Sequence, residues 1–503
     1  MIGISLPLTQ LAYIAETLPA LYEAGARQIE LQYVERDVSR LAPSLRLVRE
    51  AGFAVMLHVG IPVTEELLQS LVRAIEGMEQ ESIPLILSAD VPLDTDMVDA
   101  LTDATRENML PLIPVLECRG ESSLLALVEV CGLKNLGICL DLRNGQEEYA
   151  RALASDKRIK DRLVCVRVEE ADALIGTDMR EYLSAISYGY LGTYNVSLNF
   201  ERGISDNAAP ERLLEAIQGL YCALPFCARL YDDIQLHFDE RFRRALTVWD
   251  QPARGTWFSL IHSTSFLFQT NGFRWAMDIA FRNTYRMAQL PHLASVLLKD
   301  LELMIISHSH ADHFEERTVR RLAENDTRWI VPDFLVETAL AWGVRRDRII
   351  SAVAGEEIRI GPLTVLPFEG RHFRPVTGKG VRSYGYRVSV QDGPTMVFPG
   401  DTRDFSLAGL PSFPEADWCF ANVWLGDKSG LSDHYGDILT DYARFMLHFS
   451  GKNIIFAHLY ECNRKAEDMW RRAHARLIAD TMRELSPRTQ IHIPASGDVM
   501  PLN

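Results

Sequence analysis

Missing from this chain of 503 residues are the marks of several classes of protein. No uninterrupted apolar run approaches the roughly 20 residues that a helix needs to cross a bilayer, so no membrane span is expected. The opening residues, Met1-Ile2-Gly3-Ile4-Ser5-Leu6-Pro7, lack a basic cluster followed by a secretory-type apolar core, and a cytoplasmic protein is expected. Cationic surplus is absent as well. Against 68 Asp and Glu stand 52 Lys and Arg, a formal net charge of −16, which argues against general nucleic-acid binding because that requires basic surface to displace counterions. The 8 cysteines, at 118, 131, 139, 165, 222, 227, 419 and 462, form no C-x-x-C pair. Several sit in strand-like apolar runs such as Leu163-Val164-Cys165-Val166, as reduced core residues do, so neither a zinc finger nor a disulfide framework is expected. No Gly/Ser-rich tether, internal repeat or low-complexity tract stands out.

What remains is an ordinary globular composition, 47% hydrophobic and 24% charged, in a chain long enough for roughly two or three domains. Residues 1–225 alternate short apolar runs with segments of helical period, such as Glu65 to Glu76 and Pro210 to Leu220. Strand candidates start near Ile2, Gln28, Ala54, Pro84, Leu112, Leu136, Leu163 and Tyr194. Eight strand-helix units in that length predict an α/β fold, a (β/α)8 barrel, with a doubly wound open sheet as the competing arrangement. Residues 226–255 read as a connector. Their middle, Glu240 to Leu246, is helix-like, and Gln251-Pro252 and Arg254-Gly255 punctuate the boundary.

The densest signal lies in the second half. The apolar stretch Leu303-Met304-Ile305-Ile306 delivers His308-Ser309-His310-Ala311-Asp312-His313, which places 3 of the chain's 13 histidines and an aspartate within six residues. In an extended segment residues two apart share a side, so His308 and His310 can grip one cation while Asp312 and His313, on the following turn, reach a second. Two metals about 3.5–4 Å apart can share a hydroxide and clamp both oxygens of a hydrolysis. A dinuclear metal site is therefore expected.

In this order the motif resembles that of the metallo-β-lactamase superfamily, and the resemblance covers residues 256–503. Phe258 to Phe268 with Asn271-Gly272 is similar to the family's opening hairpin, Ala276-Met277-Asp278 to the strand beside its site, Pro399-Gly400-Asp401-Thr402 to its G-D-T turn, and Ile454-Ile455-Phe456-Ala457-His458 to its late ligand-bearing strand. The setting of His372 resembles the branch that contains ascorbate-phosphate lactonases and N-acyl phosphatidylethanolamine phospholipase D. The resemblance implies an αββα domain, one metal on His308, His310 and His372, a second on Asp312, His313 and His458, and Asp401 shared between them. Glu369, in Phe368-Glu369-Gly370-Arg371-His372, is a rival to His372. Zinc or manganese is expected, and iron if the site is richer in carboxylate.

A second resemblance rests on strand-end phrases. Gln28-Ile29-Glu30-Leu31, Pro114-Val115-Leu116-Glu117 and Gly137-Ile138-Cys139-Leu140-Asp141 are similar to those of xylose-isomerase-like barrels, whose cation site lies at the strands' C-terminal ends. Of that pattern the chain keeps Glu117 and Asp141. Asn144 stands where a His would be, Arg167 falls near the expected His of strand seven, and Asn199 takes the place of a Glu, with Glu201 close by. An arginine repels a cation and pairs with carboxylate or phosphate. The barrel is therefore expected to be metal-free and to serve as a docking surface, an anion pocket or a dimerisation platform, which is compatible with a homo-oligomer. An isomerase site in it would have to use His58, Glu117, Asp141 and Glu201.

The segment 371–382 sets Arg371, Arg374, Lys379 and Arg382 beside the proposed ligand His372, which suits a small anionic substrate. His434 lies where related enzymes carry a further active-site His and could donate a proton. The expected activity is hydrolysis of a lactone, ester, amide or phosphodiester by a metal-bridging hydroxide, with Asp312, Asp401 and His434 in the catalytic group. The alternative is a diiron oxygenase, since oxygenases of the same superfamily share the plan of an N-terminal domain before an H-x-H-x-D-H metal domain.

Overall fold

The fold is that of a computed structural model, which describes residues 2–11, 15–23, 26–33, 38–60, 83–88, 112–118, 136–141, 162–169, 195–199, 239–281, 295–375, 377–426, 436–461 and 470–502. The chain divides into two compact units, Met1–Ile234 and Gln235–Asn503. Among the described residues no helix is long and apolar enough to cross a membrane.

The first unit is a closed barrel of eight strands: β1 (Ile2–Pro7), β2 (Gln28–Tyr33), β3 (Ala54–Val59), β4 (Ile83–Leu87), β5 (Leu112–Cys118), β6 (Gly137–Asp141), β7 (Leu163–Glu169) and β8 (Asn195–Asn199). Neighbours pair in parallel, and β1 closes on β8 through Ile2 opposite Val196. Each strand begins within one residue of its expected start. Parallel strands buried on both faces read as nearly continuous apolar runs, which is why these segments stand out in the sequence. One buried cluster crosses five neighbouring strands through Met56, Ile86, Val115, Cys139 and Cys165. Helix Leu41–Glu50, between β2 and β3, buries Leu41, Leu45 and Val48, the spacing of a single apolar stripe.

The second unit holds two seven-stranded sheets. One has the order β14-β13-β12-β11-β10-β9-β22, made of β9 (Thr256–His262), β10 (Ser265–Thr270), β11 (Phe273–Met277), β12 (Leu303–Ile305), β13 (Arg328–Pro332), β14 (Ile349–Ala352) and β22 (Val499–Pro501). The other runs in sequence order through β15 (Ile358–Ile360), β16 (Leu363–Glu369), β17 (Tyr384–Val390), β18 (Thr395–Phe398), β19 (Trp418–Asn422), β20 (Asn453–Ala457) and β21 (Gln490–His492). Both supply one core. Phe268 stacks on Trp275 at 3.9 Å within the first sheet, Phe398 on Phe420 at 4.4 Å within the second, and Phe258 meets Phe420 at 5.1 Å across them. Alternation along β17 sends Tyr384, Tyr386, Val388 and Val390 into that core.

The helix at 239–246, expected in a connector, falls within the second unit. It is tied there by its apolar face: Phe242 is buried edge-on against Phe281, with 5.3 Å between centroids.

Candidate metal centre

β12 ends at Ile305, so the histidine motif leaves the sheet before its first ligand. His308 makes only an isolated bridge to Ser383, and residues 311–313 form a turn. The motif is thus presented by a bent segment past the strand end rather than by an extended one. Local bonds hold the bend. Tyr386 Oη–H donates to Ile306 O at 2.7 Å, the amides of His313 and Phe314 donate to His310 O, and Thr264 Oγ1–H donates to Asp312 O at 3.0 Å.

The bend brings together two groups of donors that share one residue. His308, His310, His372 and Asp401 form the first, and Asp312, His313, Asp401 and His458 the second. Within each group the ligand atoms lie within 4.8 Å of one another. All but His310 are buried, so the assembly meets solvent on the His310 side. Asp401 follows the turn after β18, and Asn422 Nδ2–H, at the end of β19, donates to its Oδ1 at 2.9 Å. His458 follows β20 with φ +65°, its amide bonded to Ser263 O at 2.9 Å. Asp278 and Ser263 are also left-handed, with φ +51° each. Such conformations are costly for residues other than glycine and gather at functional sites.

The outer ring orients the imidazoles. Asp278 accepts from the Ser307 amide (2.8 Å) and hydroxyl (2.6 Å) and faces His313 Nδ1 at 2.8 Å, while Ser307 Oγ lies 2.9 Å from His308 Nδ1. A carboxylate behind a histidine fixes ring and tautomer in metal sites. On the inner side, His308 Nε2, His313 Nε2 and His372 Nε2 are buried with no hydrogen-bond partner in the protein. Three orphaned nitrogens converging with carboxylates are a costly arrangement unless a cation joins them.

Protonation follows the same pattern. Burial, with His313 adding to it, holds His308 well below the ordinary histidine range, and burial takes His372 down to about 3. Burial opposes ionisation of Asp401 and Asp312. For Asp401 the nearby His458 and His313 outweigh it, for Asp312 His313 and His458 do, and both carboxyls are held well below their usual range. Burial likewise disfavours a charged His313, yet Asp401, Asp312 and Asp278 overcome it and raise its pKa well above normal. Neutral His308 and His372 beside ionised carboxylates are in the state that a divalent cation requires, and His313 would have to give up its proton to join them.

Residues 277–455 match the family model of a beta-lactamase superfamily domain. No curated protein matches the chain. Among solved structures, CmlA, a diiron beta-hydroxylase from Streptomyces venezuelae, is similar at 12% identity over 49% of this chain and 54% of that one, with a TM-score of 0.35. The match thus spans about half of the hydroxylase's length. An L-ribulose 3-epimerase is similar at 14% identity over 48% of this chain and 97% of that one (TM-score 0.30). A truncated 3-deoxy-D-arabino-heptulosonate 7-phosphate synthase from Thermotoga maritima is similar at 11% identity over 44% and 85% (TM-score 0.29).

In the second unit, Glu369 stands apart from the donor groups. It is exposed at the end of β16 and accepts a bond from Arg382 at 2.8 Å, while His372, three residues on, is buried among the donors. Of the four cations expected near substrate, Arg382 pairs with Glu369 and with Asp333 (3.5 Å), and Arg371 pairs with Asp404 (3.2 Å) and Ala408 O. Lys379 is exposed, and Arg374 lines a cavity together with Arg403 and Trp424. His434 lies outside the described residues. Sequence reasoning missed Asn422, Arg403, Trp424 and Glu461. The last is a buried carboxylate 3.3 Å from His458 Nε2.

In the barrel, Arg167 on β7 is wholly buried and ion-paired to Glu30 on β2 and Glu117 on β5. Glu117 also accepts from Ser88 Oγ–H at 3.2 Å and lies 3.6 Å from His58 Nε2. Asp141 and Asn199 lie opposite Arg167 and Glu169 in the strand register, and Asn144 and Glu201 lie outside the described residues.

Two outcomes follow. Loading the protein with Zn2+ should release about one proton from His313, because its raised pKa leaves it charged until a cation displaces the proton; affinity should weaken as pH falls through neutrality. Calorimetry in buffers of different ionisation enthalpy reads both. Arg167→Met should destabilise the barrel by about 3–5 kcal/mol, since it strands two buried carboxylates, and adding Glu30→Gln and Glu117→Gln should recover most of the loss. Urea unfolding followed by hydrogen exchange in the barrel strands measures this, and unchanged protection in Arg167→Met would contradict it.

Proposed function

We propose that the second unit is a dinuclear metal-dependent hydrolase acting on a lactone, ester, amide or phosphodiester of a small anionic substrate, with zinc or manganese as its metals. The observation that carries this is the pair of donor groups joined at Asp401, with three orphaned imidazole nitrogens directed inward. His308, His310 and His372 would hold one cation, Asp312, His313 and His458 the other, and Asp401 both. Nitrogen and carboxylate donors suit such ions. When bound, two cations lower the pKa of a water and polarise the electrophile.

The chain's own residues supply position and charge. Asp401 is ionised, and Asn422 fixes its orientation. Asp278 and Ser307 set the rings of His313 and His308. Substrate enters on the side of His310, the half-buried member. His434 is assigned as a proton donor to the leaving group.

A diiron oxygenase is the second reading, and Glu461 favours it. Its buried carboxylate lies 3.3 Å from His458 Nε2, beside the second donor group, and a site richer in carboxylate suits iron. We read residues 1–225 as a xylose-isomerase-like barrel without a metal and residues 256–503 as the catalytic domain, with 226–255 between them. In support, Arg167 already gives Glu30 and Glu117 their counter-charge.

Elemental mass spectrometry and an optical spectrum of protein purified without added metal test the assignment. About two zinc or manganese per chain, no visible absorption, and lactone or phosphodiester turnover that is abolished in His308→Ala and Asp401→Asn support the hydrolase. Two irons with a charge-transfer band move the assignment to oxygen chemistry, and metal-free protein that refuses reconstitution overturns both.

A further inference from the structure

Beside the ligands of the first donor group opens a cavity of about 580 Å³, a size typical of small-molecule sites, which run from about 300 to 1,000 Å³. Its wall includes Arg374, Arg403, Phe405 and Trp424. The two guanidiniums flank one indole, with Arg374 Cζ 5.6 Å and Arg403 Cζ 5.7 Å from the ring centre of Trp424. Phe405 lies against the same ring at 6.2 Å.

This wall is built from the segments that carry the ligands. Arg403 comes two residues after Asp401, and its amide donates to Arg371 O at 2.7 Å, the residue before His372; the Asp404 amide donates to the same oxygen at 3.2 Å. Trp424 comes two residues after Asn422, which holds Asp401. Gly380 packs so closely on His372 O, where a Cβ would come within 2.4 Å, that the loop carrying Arg374 is folded back over the ligand. The charge of Arg403 is felt at His310 and His372, where it opposes protonation. Cavity wall and donor group are therefore carried by the same segments of chain.

We propose that this cavity is the subsite for the substrate's oxyanion, a carboxylate or phosphate monoester, with Arg374 and Arg403 binding the anion and Trp424 and Phe405 binding an apolar or aromatic body next to it. The proposal rests on reading the adjoining residues as a metal centre. A guanidinium offers planar paired donors that match a carboxylate or phosphate, and stacking against an indole holds it in place. Two carboxylates also line the cavity. Asp404 is paired with Arg371, and Asp441 stands exposed on helix Gly436–Phe449.

Calorimetric titration of the full chain with phenyl phosphate, phenylacetate and the neutral 2-phenylacetamide tests this, with metal content measured on every sample. The expected result is that one or both anions bind at millimolar concentration or better and the amide about tenfold more weakly or not at all. Arg403→Ala and Arg374→Ala should each weaken the anions about tenfold or more at unchanged metal content, Arg403→Lys less, and Trp424→Leu should weaken all three probes. The stronger of the two anions identifies the oxyanion. Binding that is equal in wild type and both alanine variants overturns the subsite, as does failure of both anions to bind wild type. Anion affinity lost on chelation but untouched by the arginine changes places the anion on the metals alone and also overturns it. Arginine-dependent binding by protein that holds no metal and refuses reconstitution leaves the subsite standing and removes the metal reading instead.

Discussion

The carboxylate of Asp278 is the fixed point of the second unit's site. It sits one residue beyond β11 in a left-handed conformation, with its amide bonded to Ile305 O, so it cannot drift from the end of β12. From there it takes both donors of Ser307 and faces His313 Nδ1. Three bonds to one buried carboxylate lock the entry and exit of the histidine turn. Since His308 lies next to Ser307, and His310 and Asp312 lie between it and His313, the geometry of four donors follows from that anchor. The strained backbone at Asp278 is paid for by these bonds and by the parallel pairing of β11 with β12.

The remaining donors arrive from the second sheet. Asp401, His458 and the positioning residue Asn422 each lie at or just beyond the C-terminal ends of β18, β20 and β19, three parallel neighbours. Parallel strands end on one edge, so side chains far apart in sequence meet there. The shared aromatic core sets the distance between this edge and that of the first sheet. The packing of Phe258, Phe398 and Phe420 is therefore part of the site's geometry, although none of them is a ligand.

Legibility in the sequence tracked how local each feature is. The barrel strands could be located because burial on both faces leaves uninterrupted apolar runs, and the histidine turn because its ligands are contiguous. Setting Glu369 apart from His372 needed the position of the strand end, which the sequence does not mark. β16 ends at the exposed Glu369, and the turn beyond it brings His372 back among the other donors. Arg403, Trp424 and Glu461 had no local signature. Each is an isolated residue whose neighbourhood is created by the tertiary fold, although Arg403, two residues after Asp401, could have been flagged by position. Arg167 was marked as unsuited to a cation site, but its partner Glu30 lies 137 residues away, and only closure of the barrel joins them.

The two units answer the same electrostatic problem differently. Buried carboxylates must have a counter-charge. In the barrel that charge is Arg167, which stays protonated at any physiological pH and cannot leave, so Glu30 and Glu117 are permanently engaged. In the second unit the internal cation is His313, whose raised pKa depends on the very carboxylates it neutralises. A histidine proton can depart when a stronger cation enters. His458 and His313 together hold Asp401 and Asp312 ionised, and a cation that displaced the His313 proton would meet a ring whose Nδ1 is held by Asp278. A guanidinium supplies a fixed counter-charge, whereas an imidazolium supplies one that can be exchanged.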